Sequence, residues 1–252
     1  MKLKICSFNA RFDGAKDGIN AFTCRTERIR DFLKAEEPDI IGFQEVTSTM
    51  RAWFVENMPD YYTVGGGRNP DCSGEAPLIA FKKRDMQLIG AKTDMLSPTP
   101  EKFGSRFAGT DQSKCPRSYC RLLLKHNEID EPFYVYNVHT DHIGAISRTL
   151  ASAQLVTDIS SHGSLFFMTG DFNATPDASE IKLISAPERI VDVSSALGGT
   201  FHAYGKLESP VKIDYIFADS RAVATDCYVV ADEPVEGVYI SDHNPIVAIF
   251  EF

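Results

Sequence analysis

The chain of 252 residues has no long hydrophobic run. Its longest apolar stretches, Leu165 to Met168 and Ile246 to Phe250, fall far short of the roughly 18 residues that a membrane-crossing helix needs. Cationic charge is also scarce: 26 Lys and Arg against 35 Asp and Glu leave a net charge of −9. That balance argues against unspecific binding of long duplex DNA, which draws on many Lys and Arg contacts to phosphate, although it says little about any one site. The six cysteines (Cys6, Cys24, Cys72, Cys115, Cys120, Cys227) form no CxxC pair and no zinc-finger spacing, so they read as reduced small hydrophobes. No apolar core of the kind a secretory signal carries follows Met1-Lys2-Leu3-Lys4-Ile5; with Met1 as the native start, a cytoplasmic protein is expected. Internal repeats, low-complexity tracts and long linkers are missing too, which predicts one domain over residues 1–252.

What remains is ordinary globular material, 43% hydrophobic and 24% charged, in a chain long enough to bury a core without metal or disulfide staples. β-rich runs predict strands at about 2–8, 39–44, 77–82, 86–92, 119–126, 132–138, 164–168, 213–218, 223–231 and 245–251. Helices are expected at about 24–36, where Ile29, Phe32 and Leu33 share a face, and at 47–57, 144–160 and 177–185. The last opens on Asp177-Ala178-Ser179-Glu180, a capping-box pattern after Pro176. Residues 93–118 show no periodicity and read as a long loop of the kind that often carries function. Many strands with a few helices point to mixed α/β layers.

The informative feature is where apolar runs stop. Ile5 to Phe8 stops at Asn9, Ile40 to Gln44 at Glu45, Phe133 to Val138 at His139, and Leu165 to Thr169 at Gly170-Asp171-Phe172-Asn173. Asp214 leads Tyr215-Ile216-Phe217, and Asp242-His243 lead Pro245 to Phe250. Antiparallel neighbours set the end of one strand beside the start of the next, so all six groups can meet at one sheet edge. Glu45, Asp171, Asp214 and Asp242, with Glu75 from the Gly74-Glu75 turn, would then repel one another and take up protons. A hard divalent cation removes that penalty, and oxygen ligands suit Mg²⁺, Mn²⁺ or Ca²⁺ rather than zinc.

The ordered set Asn9 (SFNAR), Glu45 (GFQEV), Glu75 (GEAPLIAF), His139 (YNVHTDH), Asp171 and Asn173 (GDFNATP), Asp214 (KIDYIF), Asp242 and His243 (SDHNP) resembles the endonuclease/exonuclease/phosphatase, or DNase I-like, superfamily, in particular its bacterial branch related to DNase I and the deadenylases. The resemblance implies a four-layer α/β sandwich, two packed mixed β-sheets flanked by helices, and metal-dependent hydrolysis of phosphoesters. It implies Glu45 as principal metal ligand with Asn9 and Asp242 assisting, Asp171 orienting or deprotonating the attacking water, and Asn9, Asn173, His139 and His243 contacting the phosphate. It further implies Asp214 accepting a ring proton of His243, and Glu75 with His139 as a second carboxylate–imidazole pair. Asp171 and Asn173 also suit an Asx-turn.

Arg117, Arg121, Arg148 and His202 are weaker candidates for reaching substrate phosphate, as are Asp141 and His142 behind His139. Gly65-Gly66-Gly67-Arg68 lacks the Gly-Lys-Ser/Thr of a phosphate loop and reads as an ordinary loop. The expected function is a divalent-metal-dependent phosphodiesterase, with Mg²⁺ expected and Mn²⁺ or Ca²⁺ as alternatives, most simply a nuclease favouring short or single-stranded nucleic acid. The alternatives are a phosphatase of a small phosphorylated metabolite or lipid head group, and a binding module that keeps the fold without catalysis. No protein partner is expected.

Overall fold

The computed structural model describes residues 1–252. Its elements follow one another as β1 (Lys2–Asn9), α1 (Phe22–Glu36), β2 (Ile40–Val46), α2 (Ser48–Asn57), β3 (Tyr61–Val64), β4 (Ala76–Lys82), β5 (Met86–Met95), β6 (Ser118–His126), β7 (Phe133–His139), α3 (Ala145–Ser160), β8 (Phe166–Asp171), α4 (Ser179–Ile184), β9 (Ile190–Asp192), β10 (Asp214–Asp219), β11 (Ala224–Val229) and β12 (Ile246–Glu251). Two six-stranded sheets form, in the orders β11-β12-β1-β2-β4-β3 and β5-β6-β7-β8-β10-β9. No helix is long and apolar enough to cross a membrane.

Period-two alternation explains why the central strands read as unbroken apolar runs: both of their faces are buried. In β1, Leu3 and Ile5 join a cluster between the sheets, while Cys6 and Phe8 face Ile29, Phe32 and Leu33 of α1 and Met50 and Phe54 of α2. In β7, Val135 turns inward, while Tyr136 and Val138 pack with Ala151, Leu155 and Ile159 of α3. The result is helices, sheet, sheet, helices: a four-layer α/β sandwich of two mixed sheets, as the resemblance implies.

The short strands β3 and β9 escape sequence reading. β3 is a four-residue edge strand with Tyr62 exposed, and β9 has three residues. The capping box before α4 does not form. Ala178 occupies the cap position with no side-chain bond, and Glu180 is instead held by Arg148 of α3 at 2.6 Å. The long loop is shorter than expected, because β5 runs on to Met95.

Polar residues interrupt the inter-sheet layer near one edge. Asn137 donates to the carbonyls of Phe43 and Leu78, and its Oδ1 accepts from Gln44 at 2.7 Å and Thr169 at 3.2 Å. The two sheets close tightly here: a Cβ on Gly42 would lie 1.9 Å from Thr169 Oγ1, so a side chain there would force them apart.

Candidate active site

Strand polarity brings the functional groups to that edge. β1 runs parallel to β2 and β7 parallel to β8, so Asn9, Glu45, His139 and Asp171 all sit at C-terminal ends. β10 and β12 run antiparallel to their neighbours and bring in Asp214 and Asp242-His243 from their starts. In the register, Asp171 is paired with both His139 and Asp214. Convergence therefore rests on two parallel pairs with antiparallel companions, rather than on antiparallel neighbours alone.

A bulge aims Glu45. Between Phe43↔Leu78 and Val46↔Ala76, Gln44 and Glu45 stand against the single residue Pro77, and Glu45 takes φ 64°. Alternation from Gly42 puts Gln44 in the inter-sheet layer, and the extra residue lets Phe43 and Val46 both join the helix-side cluster while Glu45 lines the cleft. Asn9 Nδ2 donates to Glu45 Oε1 at 3.2 Å and the Phe12 amide to Oε2 at 3.0 Å, so both carboxylate oxygens are oriented by the segment after β1. Asn9 Nδ2 also reaches Asp171 Oδ2 at 3.0 Å, while its Oδ1 accepts from the Arg11 amide. In this orientation the Asn9 amide nitrogen serves both carboxylates, and its Oδ1 keeps one lone pair beside the bond from the Arg11 amide.

Asp171 is buried, with His139 Nε2 at 3.7 Å and His243 Nε2 at 3.9 Å from Oδ2. Its Oδ1 accepts from the Asn173 amide at 2.9 Å, so the Asx-turn is present, with Asn173 at φ 48°. Burial, with the Asp214 charge adding to it, pushes the Asp171 carboxyl above the usual carboxylate range. His243 Nδ1 bonds Asp214 Oδ2 at 2.8 Å, and Thr200 Oγ1 donates to the same oxygen. Burial opposes charge on His243, but Asp214 outweighs it and raises the imidazole to about 10, keeping it protonated.

Glu75 and His139 do not pair. Glu75 is held by Arg68 at 2.6 Å, and burial raises its carboxyl despite that guanidinium. His139 Nε2 accepts from Arg117 Nη1 at 3.1 Å, since a guanidinium can only donate, and His142 Nδ1 accepts from Nη2 at 2.6 Å. Burial and then Arg117 lower His139 well below its ordinary value, so it is neutral rather than an imidazolium. Sequence reading missed Arg68, because its partner Glu75 meets it only through the fold of the intervening loop.

Of the weaker candidates, Arg117 and His142 line the cleft. Arg121 pairs with Asp158, and Arg148 with Glu180. His202 is buried behind the cleft against Tyr239. Asp141 accepts from Ser113, Ile143 and Gly144, which fixes the turn into α3.

The cleft has a volume of about 530 Å³. Arg68, Arg117, His139 and His142 group together on one wall, and Arg11, Phe12, Phe201, Tyr204, Asp171, Asn173, Glu45, Asp242 and His243 also line the cleft. Five of the eight non-glycine residues with positive φ (Arg11, Glu45, Asn173, Ala203 and Tyr204) line it, so the costly backbone conformations concentrate here. A larger groove of about 710 Å³ beside α1 and the β4–β5 turn contains none of these groups.

Two sets of residues can hold a cation. Asp171, Asp214 and His243 present ligand atoms within 4.8 Å of one another, but Asp214 and His243 already bond each other there. Glu45 and Asp242 are the better pair. Burial and the Glu45 charge raise the Asp242 carboxyl, and Arg11 Nε stands 3.6 Å from it as a partial counter-ion. A pair of carboxylates is the oxygen donor set that suits a hard dication.

Comparison with known proteins identifies the family and the fold. A model of the Endonuclease/Exonuclease/phosphatase family matches residues 6–243. The fold is similar to the crystal structure of the endonuclease/exonuclease/phosphatase from Bacteroides vulgatus, with a TM-score of 0.92, 27% identity, and coverage of 100% of this chain and 99% of that one. It is similar to the mannosyl-6-phosphatase of Bacteroides thetaiotaomicron, with a TM-score of 0.88, 23% identity and coverage of 99% and 100%. D. rerio TDP2 complexed with single-strand DNA product superposes with a TM-score of 0.79, 17% identity and coverage of 100% and 99%. The last two likenesses concern the fold alone.

Proposed function

The chain belongs to the Endonuclease/Exonuclease/phosphatase family, and from that premise we propose that it is a divalent-metal-dependent hydrolase of phosphodiesters in small or single-stranded substrates. The observation that carries this reading is the setting of Asp171. It is a buried carboxylate at the cleft, between His139 and His243, with its proton affinity raised. A carboxylate raised towards neutrality is suited to take a proton from water near pH 7.

Glu45 and Asp242 would hold the cation, with Asn9 orienting Glu45. When bound, the cation polarises the phosphoryl oxygen and offsets charge on the leaving oxygen. His243, kept protonated by Asp214, donates from Nε2 to a phosphoryl oxygen, and Asn173 offers amide hydrogens beside it. Asp171 accepts the proton of a water that attacks phosphorus in line with the leaving oxygen. His139, neutral and accepting from Arg117, fixes the guanidinium so that its charge faces the cleft. Glu75 does the same for Arg68.

A second reading is hydrolysis of a phosphomonoester, such as a sugar phosphate. The two guanidiniums of Arg68 and Arg117 on one wall favour it, because a monoester dianion carries one more charge than a diester. Hydrolysis of bis-p-nitrophenyl phosphate, single-stranded DNA, RNA, p-nitrophenyl phosphate and sugar phosphates decides between the two. In each case a chelator should abolish turnover and Mg²⁺ or Mn²⁺ restore it. Chelator-resistant hydrolysis would overturn the metal assignment, and silence on every substrate with metal present would favour a binding module.

A further inference from the structure

Arg25 lies on α1, on the same face as Phe22, Ile29, Phe32 and Leu33, and is fully buried. No carboxylate bonds it. Its Nε donates to the Asn20 carbonyl at 2.8 Å, Nη1 to Ala10 at 2.9 Å and Ile240 at 2.5 Å, and Nη2 to Arg11 at 2.8 Å. A guanidinium so placed loses its hydration and recovers carbonyl bonds and the face of the Phe22 ring at 5.6 Å but no carboxylate bond, an arrangement that calls for a role beyond packing.

Three of its four carbonyl partners fall on two segments at the candidate cation site, Ala10 and Arg11 on the one that orients Glu45 and Ile240 on the one that bears Asp242. The segment Asn9 to Phe12 orients both oxygens of Glu45. Ile240 precedes Ser241-Asp242, and Ser241 Oγ donates back to the Asn9 carbonyl at 2.6 Å. Glu45 and Asp242 belong to different chain segments, and no bond between their side chains sets their separation.

We propose that Arg25 is a positioning residue for the divalent-cation site: its rigid fork clamps the segment that orients Glu45 to the segment that bears Asp242, and Ser241 adds a second tie. The proposal rests on the assignment of Glu45 and Asp242 as cation ligands. Lysine cannot replace the fork, because one ammonium donates from a single point and cannot span three carbonyls in plane.

The test is Mn²⁺ binding to the whole protein, by titration calorimetry and by the loss of the free Mn²⁺ paramagnetic resonance signal, for wild type, Glu45→Gln, Arg25→Lys and Ser241→Ala. Wild type binds saturably and Glu45→Gln abolishes or severely weakens binding. Arg25→Lys, still folded by circular dichroism, weakens Mn²⁺ binding by about 10- to 100-fold, as loss of outer supports of a metal site does. A purely structural arginine would lower Tm and leave the Kd of the folded protein unchanged. An Arg25→Lys Kd within twofold of wild type therefore overturns the clamp while leaving the metal assignment standing. Should Arg25→Lys fail to fold, Ser241→Ala decides: a weakening of about 3- to 10-fold supports the clamp and an unchanged Kd overturns it. Absence of saturable binding in wild type, or indifference to Glu45→Gln, overturns the metal assignment itself.

Discussion

The two ends of strand β10 each carry a buried aspartate, and the two are treated in opposite ways. Asp219 accepts four hydrogen bonds, two on each oxygen: from the Arg221 amide at 3.1 Å and Nε at 2.8 Å on Oδ1, and from Arg189 Nε and Arg221 Nη2, both at 2.8 Å, on Oδ2. Asp214 has Thr200 and His243 on Oδ2, and its Oδ1 is buried with no partner. At the first end the charge is fully satisfied. At the second it is shared out among Asp214, Asp171 and one imidazolium, and Asp171 is left with raised proton affinity. A saturated carboxylate can do no chemistry, because every lone pair is taken. An under-satisfied one costs stability and remains reactive.

Asp171→Asn is the sharpest way to break this contrast. It removes the proton acceptor but keeps the shape, so kcat should fall by at least ~10³, about 4 kcal/mol of barrier. Tm should hold or rise, because one member of a repelling carboxylate set is gone. Turnover within tenfold of wild type, or a melting temperature lowered by more than a few degrees, would mean that Asp171 is a structural residue like Asp219.

Asp219→Ala is the mirror experiment. It strands two guanidiniums that are partly exposed and can regain water, so the expected loss is about 2–3 kcal/mol of stability, with kcat of the folded protein unchanged. Denaturant melts beside steady-state kinetics measure both.

The same carboxylate makes a pH prediction. Burial opposes its ionisation, but the hydrogen bonds from Arg221 and Arg189 prevail and hold it at about 2, below its ordinary 3.8. A folded value below the unfolded one contributes stability at pH above about 4, and that contribution is lost as pH falls towards 2. The stability gap between wild type and Asp219→Ala should therefore narrow across that window in urea melts. A gap that stays constant from pH 5 to pH 2.5 would show that the arginines do not act through the ionised form.

The rim residues were legible because a strand buried on both faces is apolar until it reaches water. The abrupt change at Asn9, Glu45, His139 and Asp171 therefore marks a strand end, and the parallel pairs put those ends together. Partner choice was not legible. Glu75 meets Arg68 through a loop whose course no local pattern encodes, and His139 meets Arg117 because the β6–β7 register sets Ser118 opposite His139. α4 shows the same limit: the capping-box residue Glu180 is drawn to Arg148, a tertiary ion pair that outweighs a local cap. Arg25 did carry a signal, an arginine on the apolar stripe of Phe22, Ile29, Phe32 and Leu33. A cation at such a position must find partners inside the protein.

Thr200 carried no signal at all: a single threonine after two glycines, whose hydroxyl is one of two donors to Asp214. Thr200→Val keeps the volume and removes that donor, so it tests how far Asp214 depends on partial satisfaction. The lost bond is worth about 1 kcal/mol, and Asp214 keeps His243, so neither folding nor the imidazolium should fail. What changes is the fixing of the Asp214–His243 pair, and a looser imidazolium delivers less to the transition state. The expected result is a fall in kcat of about 5- to 10-fold with KM little altered, the smallest effect of the series. An equal loss in Asp219→Ala would erase the distinction between the two ends of β10, because activity would then follow general stability rather than the local arrangement at the cleft.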